Sequence, residues 1–363
     1  MKKVVSMLCA VSLSAVLLAG CGASASSEST ISSEPENTAS SEATAESASA
    51  AAESVSEVVA TDPVNVNVTA MKGPTAMGMV EFMSESDSGE LTDNNYNFTL
   101  ASAPDEVSSA LAQGTTDIAA VPANLASVLY NNTNGGVEVL AINTLGVLYI
   151  VESGDTVQSV EDLRGKTIYA SGKGSTPEYA LNYILSQNGI DPETDVNIEW
   201  KSEHAECLSA LMSEENGIAM LPQPFVTTAQ TKSDNIRVAL DLTNEWDKLQ
   251  ADSDTPSALI TGVAVVRTEF AEEHPEAVTA FMEHYKESVN FVNENTSDAA
   301  QLIGTYDIVP AAVAEKALPA CNIVYITGNE MKNKLSGYLN VLFEQNPKAV
   351  GGSVPGDDFY YAG

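Results

Sequence analysis

Apolar and polar positions along residues 64–242 follow two periods that alternate along the chain. Residues 64–70 alternate Val and Asn, which predicts a strand, whereas residues 75–83 place apolar side chains at helical spacing. Strands separated by helices predict a mostly parallel sheet with helices on both faces. The predicted strands are 64–70, 97–101, 117–121, 137–143, 166–170, 196–200, 218–221 and 236–242, and the predicted helices are 75–83, 104–113, 122–130, 177–187, 205–212, 224–231 and 275–295.

Two stretches of the chain repeat at a similar offset. Residues 70–75 and 170–177 both follow the first strand of a half, and residues 117–122 are echoed by residues 217–222. Two matches at nearly the same offset favour two α/β lobes of similar wiring. The length of 363 residues is also more than one apolar core usually serves, since cores stop growing at about 250–300 residues.

The loops after the predicted strands carry the candidate chemistry, because ligands of open α/β sheets bind beyond the carboxyl ends of strands. The loop 171–177 combines two glycines, Lys173, and the hydroxyls of Ser175 and Thr176 at the start of a helix, whose free N–H groups attract anions. A plain turn with Thr176 as helix cap is the alternative. The candidate ligand-binding residues are Lys72, Gly73, Pro74, Thr75, Pro122, Asn124, Asn143, Thr144, Lys173, Gly174, Ser175, Thr176 and Gln223.

Other chemistries find no support in the sequence. The net charge of −34 excludes broad nucleic-acid binding, since there is no basic surface to neutralise phosphates. Neither a P-loop nor a catalytic Gly-x-Ser-x-Gly or His-Glu-x-x-His motif is present, so no catalytic residue, cofactor or metal is expected. The three histidines, His204, His274 and His284, lie in charged helical stretches and are expected to be solvated or to cap helices. Cys207 and Cys321 are expected to be reduced, buried thiols in different domains.

The N-terminus has the architecture of a secretory signal. Lys2 and Lys3 precede an apolar run over residues 4–18, and the segment Leu18-Ala19-Gly20-Cys21 resembles the bacterial lipobox. That resemblance implies cleavage before Cys21 and its acylation; plain signal cleavage is the alternative. Residues 22–60 consist largely of Ser, Ala, Glu and Thr, which predicts a disordered tether. No later run of apolar residues is long enough to span a bilayer.

Together these motifs resemble those of ABC-transporter substrate-binding lipoproteins of the NitT/TauT family, which take up nitrate, sulfonates, taurine and thiamine-pyrimidine precursors. The segments that carry the resemblance are the lipobox, residues 117–124, residues 170–177 and residues 220–225. The family's fold is the two-lobed, periplasmic-binding-protein-like type II α/β fold with its ligand cleft between the lobes. It implies a signal peptide at 1–20, a tether at 21–61, lobe 1 at 62–147 and 259–363, and lobe 2 at 148–258.

The resemblance implies a function of capture and delivery. A small polar or anionic solute would close the lobes, and the closed protein would dock on a membrane permease that works with an ATPase. The expected protein is a monomer, lipid-anchored on the outer face of the cytoplasmic membrane, and its long tether favours a Gram-positive host. Lys72 and Lys173 favour a carboxylate, sulfonate or phosphonate, and a heterocycle with one acidic group is the other option. Gln223 stands where many relatives carry Glu. A surface sensor or adhesin, or an enzyme on this fold, is the alternative function.

Overall fold

The computed structural model describes residues 62–251 and 257–363. The strands are β1 (Asn65–Met71), β2 (Asn95–Ala101), β3 (Ile118–Pro122), β4 (Val137–Leu145), β5 (Leu148–Glu152), β6 (Thr167–Ser171), β7 (Asn197–Lys201), β8 (Ile218–Pro222), β9 (Arg237–Asp241), β10 (Ile260–Arg267) and β11 (Ile323–Ile326). The helices are α1 (Pro74–Met77), α2 (Val80–Ser88), α3 (Pro104–Ala112), α4 (Ala123–Thr133), α5 (Thr176–Gln187), α6 (His204–Ser213), α7 (Phe225–Lys232), α8 (Leu242–Gln250), α9 (Thr268–Glu273), α10 (Pro275–Glu294), α11 (Thr296–Thr305), α12 (Ala311–Ala317) and α13 (Gly328–Gln345). The predicted signal peptide, lipobox and tether lie outside the described residues.

The strands form two separate sheets. The first has the order β11-β4-β10-β3-β1-β2 and the second the order β7-β6-β8-β5-β9. The chain passes from the first sheet to the second between β4 and β5 and returns before β10. The two-sheet α/β architecture predicted from the sequence is confirmed, whereas the exact lobe boundaries stay a prediction.

Both sheets are mixed rather than parallel, which corrects the expectation for the strands at the crossings. β1 is parallel to β2 and β3, and β6 is parallel to β7 and β8. β10 runs antiparallel to β3 and β4, and β5 runs antiparallel to β8 and β9. The reversal follows from the connections, because β4 leads directly into β5 of the other sheet and β10 enters the first sheet from the second, not from a neighbouring strand of its own sheet.

The helix predicted over residues 75–83 is two helices, α1 and α2, separated at Gly78 and Met79. A Cβ atom on Gly78 would lie 3.0 Å from a methyl group of Ile323 and 3.2 Å from one of Val289. The backbone therefore approaches β11 and α10 closely at this point, and the break follows from tertiary packing that the local pattern does not contain.

The C-terminal helix α13 packs against elements of both sheets. Its residues Leu335, Tyr338 and Leu342 are completely buried in one apolar cluster that also contains Ile142 of β4 and Ile150 of β5. In the same region, the Asn346 amide donates a hydrogen bond of 3.0 Å to the Tyr179 hydroxyl of α5. This packing makes α13 a third connection between the two sheets, beside the two chain crossings.

Two further features agree with the sequence. Cys207 and Cys321 are both unpaired and buried. Cys207 lies on α6 beside the second sheet, and Cys321 lies just before β11 of the first. Among the described helices, none combines the length and apolar character required to cross a bilayer.

Candidate functional site

A cavity of about 350 Å³ lies where the two sheets face each other, and we call it the central cavity. Its volume is near the lower end of the range for small-molecule sites, about 300–1,000 Å³. Its lining residues come from loops and helix starts of both sheets and from the crossing between β4 and β5. They are Pro104, Pro122, Asn124, Leu125, Val147, Leu148, Ser175, Thr176, Pro177, His204, Pro222 and Thr261.

Four helices begin at the central cavity. Pro104, Asn124, Thr176 and His204 belong to the first turns of α3, α4, α5 and α6, and all four residues line the cavity. At none of these helix starts does the side chain of the N-cap residue accept a hydrogen bond. Helix N-termini carry a partial positive charge, so four of them together create a positive potential without any basic side chain.

Glutamates anchor the loops that lead into three of these helices. Glu106, Glu178 and Glu206 each occupy the third position of a helix and accept a hydrogen bond from the amide four residues earlier, at 3.0, 2.6 and 3.0 Å. Each bond reaches back to the residue before the N-cap, in the manner of one half of a capping box. The three carboxylates therefore fix the loops in place while lying outside the cavity lining.

Most polar side chains of the lining already have protein partners. The Ser175 hydroxyl donates to the Gly172 carbonyl at 2.7 Å. The Thr176 hydroxyl donates to the Asn124 side-chain oxygen at 3.5 Å and accepts from the Tyr338 hydroxyl at 3.1 Å. These contacts join the start of α5 to the start of α4 and to α13. The lining donors with no such partner in the described chain are the outer ring nitrogen of His204 and the Thr261 hydroxyl.

Comparison with known proteins gives this cavity a context. The family model for the periplasmic substrate-binding protein of phosphonate ABC transporters matches residues 90–315, which is more than half of the chain. This chain belongs to that family. The proteins of the family are extracytoplasmic, and they bring small solutes to a membrane permease and its ATPase. The sequence-based prediction of an ABC-transporter substrate-binding protein is therefore confirmed.

Solved structures agree in fold. An ABC transporter protein from Parabacteroides distasonis superposes with a TM-score of 0.67 at 20% identity, over 82% of this chain and 98% of its own. The aliphatic sulphonate binding protein SsuA from Escherichia coli gives a TM-score of 0.63 at 16% identity, over 82% and 96%. The alkanesulfonate-binding protein SsuA from Xanthomonas axonopodis pv. citri, bound to MOPS, gives a TM-score of 0.57 at 15% identity. The match covers 82% of this chain and 96% of that protein. Among curated proteins, no sequence matches the chain significantly.

The substrate-binding protein brings four of the predicted site residues to the central cavity: Pro122, Asn124, Ser175 and Thr176. Three others, Thr75, Asn143 and Thr144, lie together in a separate buried cluster at the end of β4. There the Asn143 amide donates to the Thr75 carbonyl at 3.4 Å, and the Thr144 hydroxyl donates to the Asn143 side-chain oxygen at 3.0 Å. Contact of these residues with a solute stays a prediction.

The remaining candidates are not part of the lining. Lys72 forms an ion pair with Asp307 at 3.3 Å, next to Gly73 and Pro74 at the start of α1. Lys173 and Gly174 are exposed at the tip of their loop. Gln223 is buried, and its side-chain oxygen accepts a hydrogen bond of 2.9 Å from the Thr227 hydroxyl. For these residues too, a role in binding remains a prediction.

The lining also contains residues that the sequence analysis did not select, and His204 is the most informative of them. Its inner ring nitrogen lies 2.6 Å from the Ser171 hydroxyl oxygen, and its ring centroid lies 5.0 Å from the ring centroid of Phe225. Burial lowers the pKa of His204, against a smaller opposing effect of the neighbouring Glu203. His204 is thus a partly buried, neutral imidazole at the cavity, not the solvated or capping residue that its charged neighbours suggested.

The other unselected residues are Pro104, Leu125, Val147, Leu148, Pro177, Pro222 and Thr261. Pro104 could have been found, because it starts the helix after a predicted strand just as Pro122 does. Val147 and Leu148 could not, because their position depends on how the crossing between the sheets folds over the cavity.

Proposed function

We propose that this substrate-binding protein captures a small organic oxyanion, a phosphonate or a sulfonate, in the central cavity. The observation that carries the proposal is the meeting of four helix N-termini, none capped by its N-cap side chain, at one cavity. Main-chain N–H groups and helix dipoles bind tetrahedral oxyanions without a basic side chain. The family is named for phosphonate and two of the similar solved structures are named for sulphonates, and both are oxyanions of this kind.

The strong acidity of the chain does not oppose this function. Charges on the surface act over about 8 Å at physiological salt, and beyond that distance they are largely screened. Among the described lining residues there is no Asp or Glu. The helix N-termini therefore act on the ligand from the lining itself, where the described residues include no carboxylate.

His204 and Thr261 complete the proposed head-group site. If the Ser171 hydroxyl donates to the inner ring nitrogen of His204, the outer nitrogen carries the proton and donates into the cavity. The Thr261 hydroxyl adds a donor from the first sheet, opposite the helices of the second. A solute held by both sides would favour the closed arrangement of the two sheets.

The proposed role is binding without turnover. The contact between Ser171 and His204 has the distance of a nucleophile and its base, but Ser171 is only 3% exposed and does not belong to the cavity lining. A solute in the cavity meets the imidazole and not the hydroxyl. Ser171 is thereby suited to orient the ring rather than to attack a ligand.

We further propose that the protein acts as a monomer held at the outer face of the cytoplasmic membrane by acylated Cys21, in a Gram-positive host. The support is the lipobox-like segment and the acidic tether that follows it. Several acyl chains on one residue anchor a protein stably where a single chain does not.

The binding proposal is tested by thermal unfolding of the purified full chain with a set of phosphonates, sulfonates, carboxylates, nitrate and pyrimidines. A solute present at a hundred times its Kd should add about 2.7 kcal/mol to the free energy of unfolding, which is easily measured. Stabilisation by phosphonates or sulfonates is expected. Stabilisation by pyrimidines alone, or by none of the set, would contradict the proposal.

The anchor has its own test. Cys21→Ala is expected to move the protein from the membrane fraction to the medium and to abolish labelling by radioactive palmitate, because the acylated atom is gone. Cys9→Ala is the matched control and should leave both unchanged, since Cys9 lies inside the predicted signal peptide. Retention of Cys21→Ala on the membrane would overturn the lipobox interpretation.

A further inference from the structure

The lining of the central cavity combines polar and apolar side chains. The polar ones are Asn124, Ser175, Thr176, His204 and Thr261. We call the apolar ones the wall, and they are Leu125, Val147, Leu148 and the prolines Pro104, Pro122, Pro177 and Pro222. Each proline lacks a backbone N–H and therefore contributes apolar surface without a hydrogen-bond donor.

Hydrogen bonds within the protein make the cavity lining less polar than its composition suggests. Ser175 and Thr176 already donate to Gly172 and Asn124, and Asn124 donates to the Ala349 carbonyl at 3.4 Å. Beyond the head-group site, a solute therefore finds few unused hydrogen-bonding groups.

No charged side chain belongs to the described lining. Asp105, Glu178 and Glu203 adjoin lining residues in the sequence, but none of the three contributes to the cavity surface. An ammonium group held against this wall would lose its hydration without gaining a carboxylate partner. Burial of an unpaired charge is among the largest penalties in a binding site.

We infer that the solute carries an uncharged, apolar organic body beside its oxyanion head, and that the cavity rejects solutes whose body ends in an ammonium group. The inference rests on the proposed function and narrows it from organic phosphonates and sulfonates in general to those whose organic body carries no charge. The cavity volume of about 350 Å³ leaves room for an organic body beside the head group.

Two isosteric pairs of probes test the inference by isothermal titration of the full chain. Butanesulfonate is compared with homotaurine, in which an ammonium replaces the terminal methyl, and propylphosphonate is compared with aminoethylphosphonate. The alkyl member of each pair should bind tighter by about a hundredfold, because the ammonium loses hydration without compensation. Homotaurine or aminoethylphosphonate binding as tightly as its alkyl partner would overturn the inference and leave the proposed function standing.

A charge placed in the wall provides the second arm. Leu125 is half-buried, so Leu125→Asp introduces a carboxylate at a position that water still reaches. In this variant the ratio of the affinity for butanesulfonate to the affinity for homotaurine should fall by at least about tenfold relative to the wild type. Leu125→Asn is the matched control of the same size, and it should weaken butanesulfonate without favouring homotaurine.

The outcomes distinguish a failure of the proposed function from a failure of the inference about the apolar body. If the wild-type chain binds none of the four probes, the proposed function fails. If it binds both members of each pair equally, or prefers the ammonium-bearing members, only the apolar body is refuted. If the Leu125 variants fail to fold, as judged by circular dichroism, the wild-type comparison still decides.

Discussion

His204→Ala is expected to weaken the binding of butanesulfonate by about 10- to 100-fold. The variant loses one hydrogen bond to a charged head group, which contributes about 1.5–3 kcal/mol. Isothermal titration of both proteins at neutral pH measures the difference. His274→Ala, at the start of α10, is the matched control and should bind like the wild type.

The wild-type affinity for butanesulfonate should also rise as the pH falls. Burial lowers the pKa of His204 in the free protein, so its imidazole is neutral at pH 7. A bound anion favours the imidazolium and raises this pKa, so binding takes up a proton at pH values between the free and bound pKa. Glu203 is the charged neighbour that acts on the ring, and Ser171 and Phe225 are its uncharged contacts.

A sulfonate keeps its single charge throughout the measurement, so the pH profile reports on the protein. In His204→Ala the profile should be flat between about pH 5 and 8, because the imidazole that changes its charge at the head-group site is gone. An unchanged affinity together with an unchanged pH profile would remove His204 from the head-group site. Lys173→Ala is a second variant to compare in the same titration. The sequence predicts a charge-assisted contact between Lys173 and the solute, whereas the described cavity lining does not include this residue.

Arg237→Ala is expected to lower the free energy of unfolding by about 3–5 kcal/mol, because it leaves a buried carboxylate without its counter-charge. Glu152 of β5 has no exposed surface and lies 2.7 Å from the Arg237 guanidinium. It also accepts hydrogen bonds from the Thr156 amide at 2.8 Å and from the Val157 amide at 3.2 Å. These remain in the variant, so a loss near the lower end of that range is expected.

The pair also predicts an acid sensitivity. Burial raises the pKa of Glu152, but hydrogen bonds from Thr156 and Val157 and the charge of Arg237 together lower it below its usual value. The carboxylate therefore stabilises the fold above the unfolded-state pKa, and this contribution disappears as the pH falls through the folded-state pKa. In Arg237→Ala the folded-state pKa rises toward the unfolded-state value, so the stability lost on acidification should be smaller and should be complete at a higher pH than in the wild type.

Urea unfolding at several pH values measures both effects. Arg164→Ala is the matched control, because Arg164 pairs with Asp195 at the surface, where an ion pair contributes about 0–1 kcal/mol. If the two variants lost similar free energy, the Glu152–Arg237 pair would have no special role in stability.

The elements that could be predicted from the sequence are those whose signals are local. The helices predicted over 104–113 and 177–187 are found at Pro104–Ala112 and Thr176–Gln187, because a proline near the start and a glycine after the end mark such helices. α8 was missed although Asp241 is a true N-cap, whose carboxylate accepts from the Thr243 and Asn244 amides. Residues 236–242 have the pattern of a strand, so Asp241 was assigned to the strand and not recognised as the N-cap of a helix. The direction of β10 had no local signal at all.

Some residues of the site could likewise be predicted from the sequence, and others could not. The rule that ligands bind beyond strand ends led to Asn124, Ser175 and Thr176, since it depends only on the order of elements. Lys72 could not be placed, because its ammonium pairs with Asp307, which is 235 positions away in the sequence. His204 was misjudged since its neighbours Glu203 and Glu206 suggest a solvated helix end. The ring instead turns toward Ser171, and only the packing of α6 on β6 determines that orientation.

The four helix starts around the cavity have a consequence for how specificity can change. Main-chain dipoles belong to the fold and not to particular side chains, so single substitutions cannot remove the attraction for an anionic head. The wall, by contrast, contains side chains such as Val147 and Leu148, which lie outside the helix starts and can be exchanged without disturbing them. A protein built in this way can acquire a new solute by replacing a few wall residues while its preference for anions is inherited unchanged.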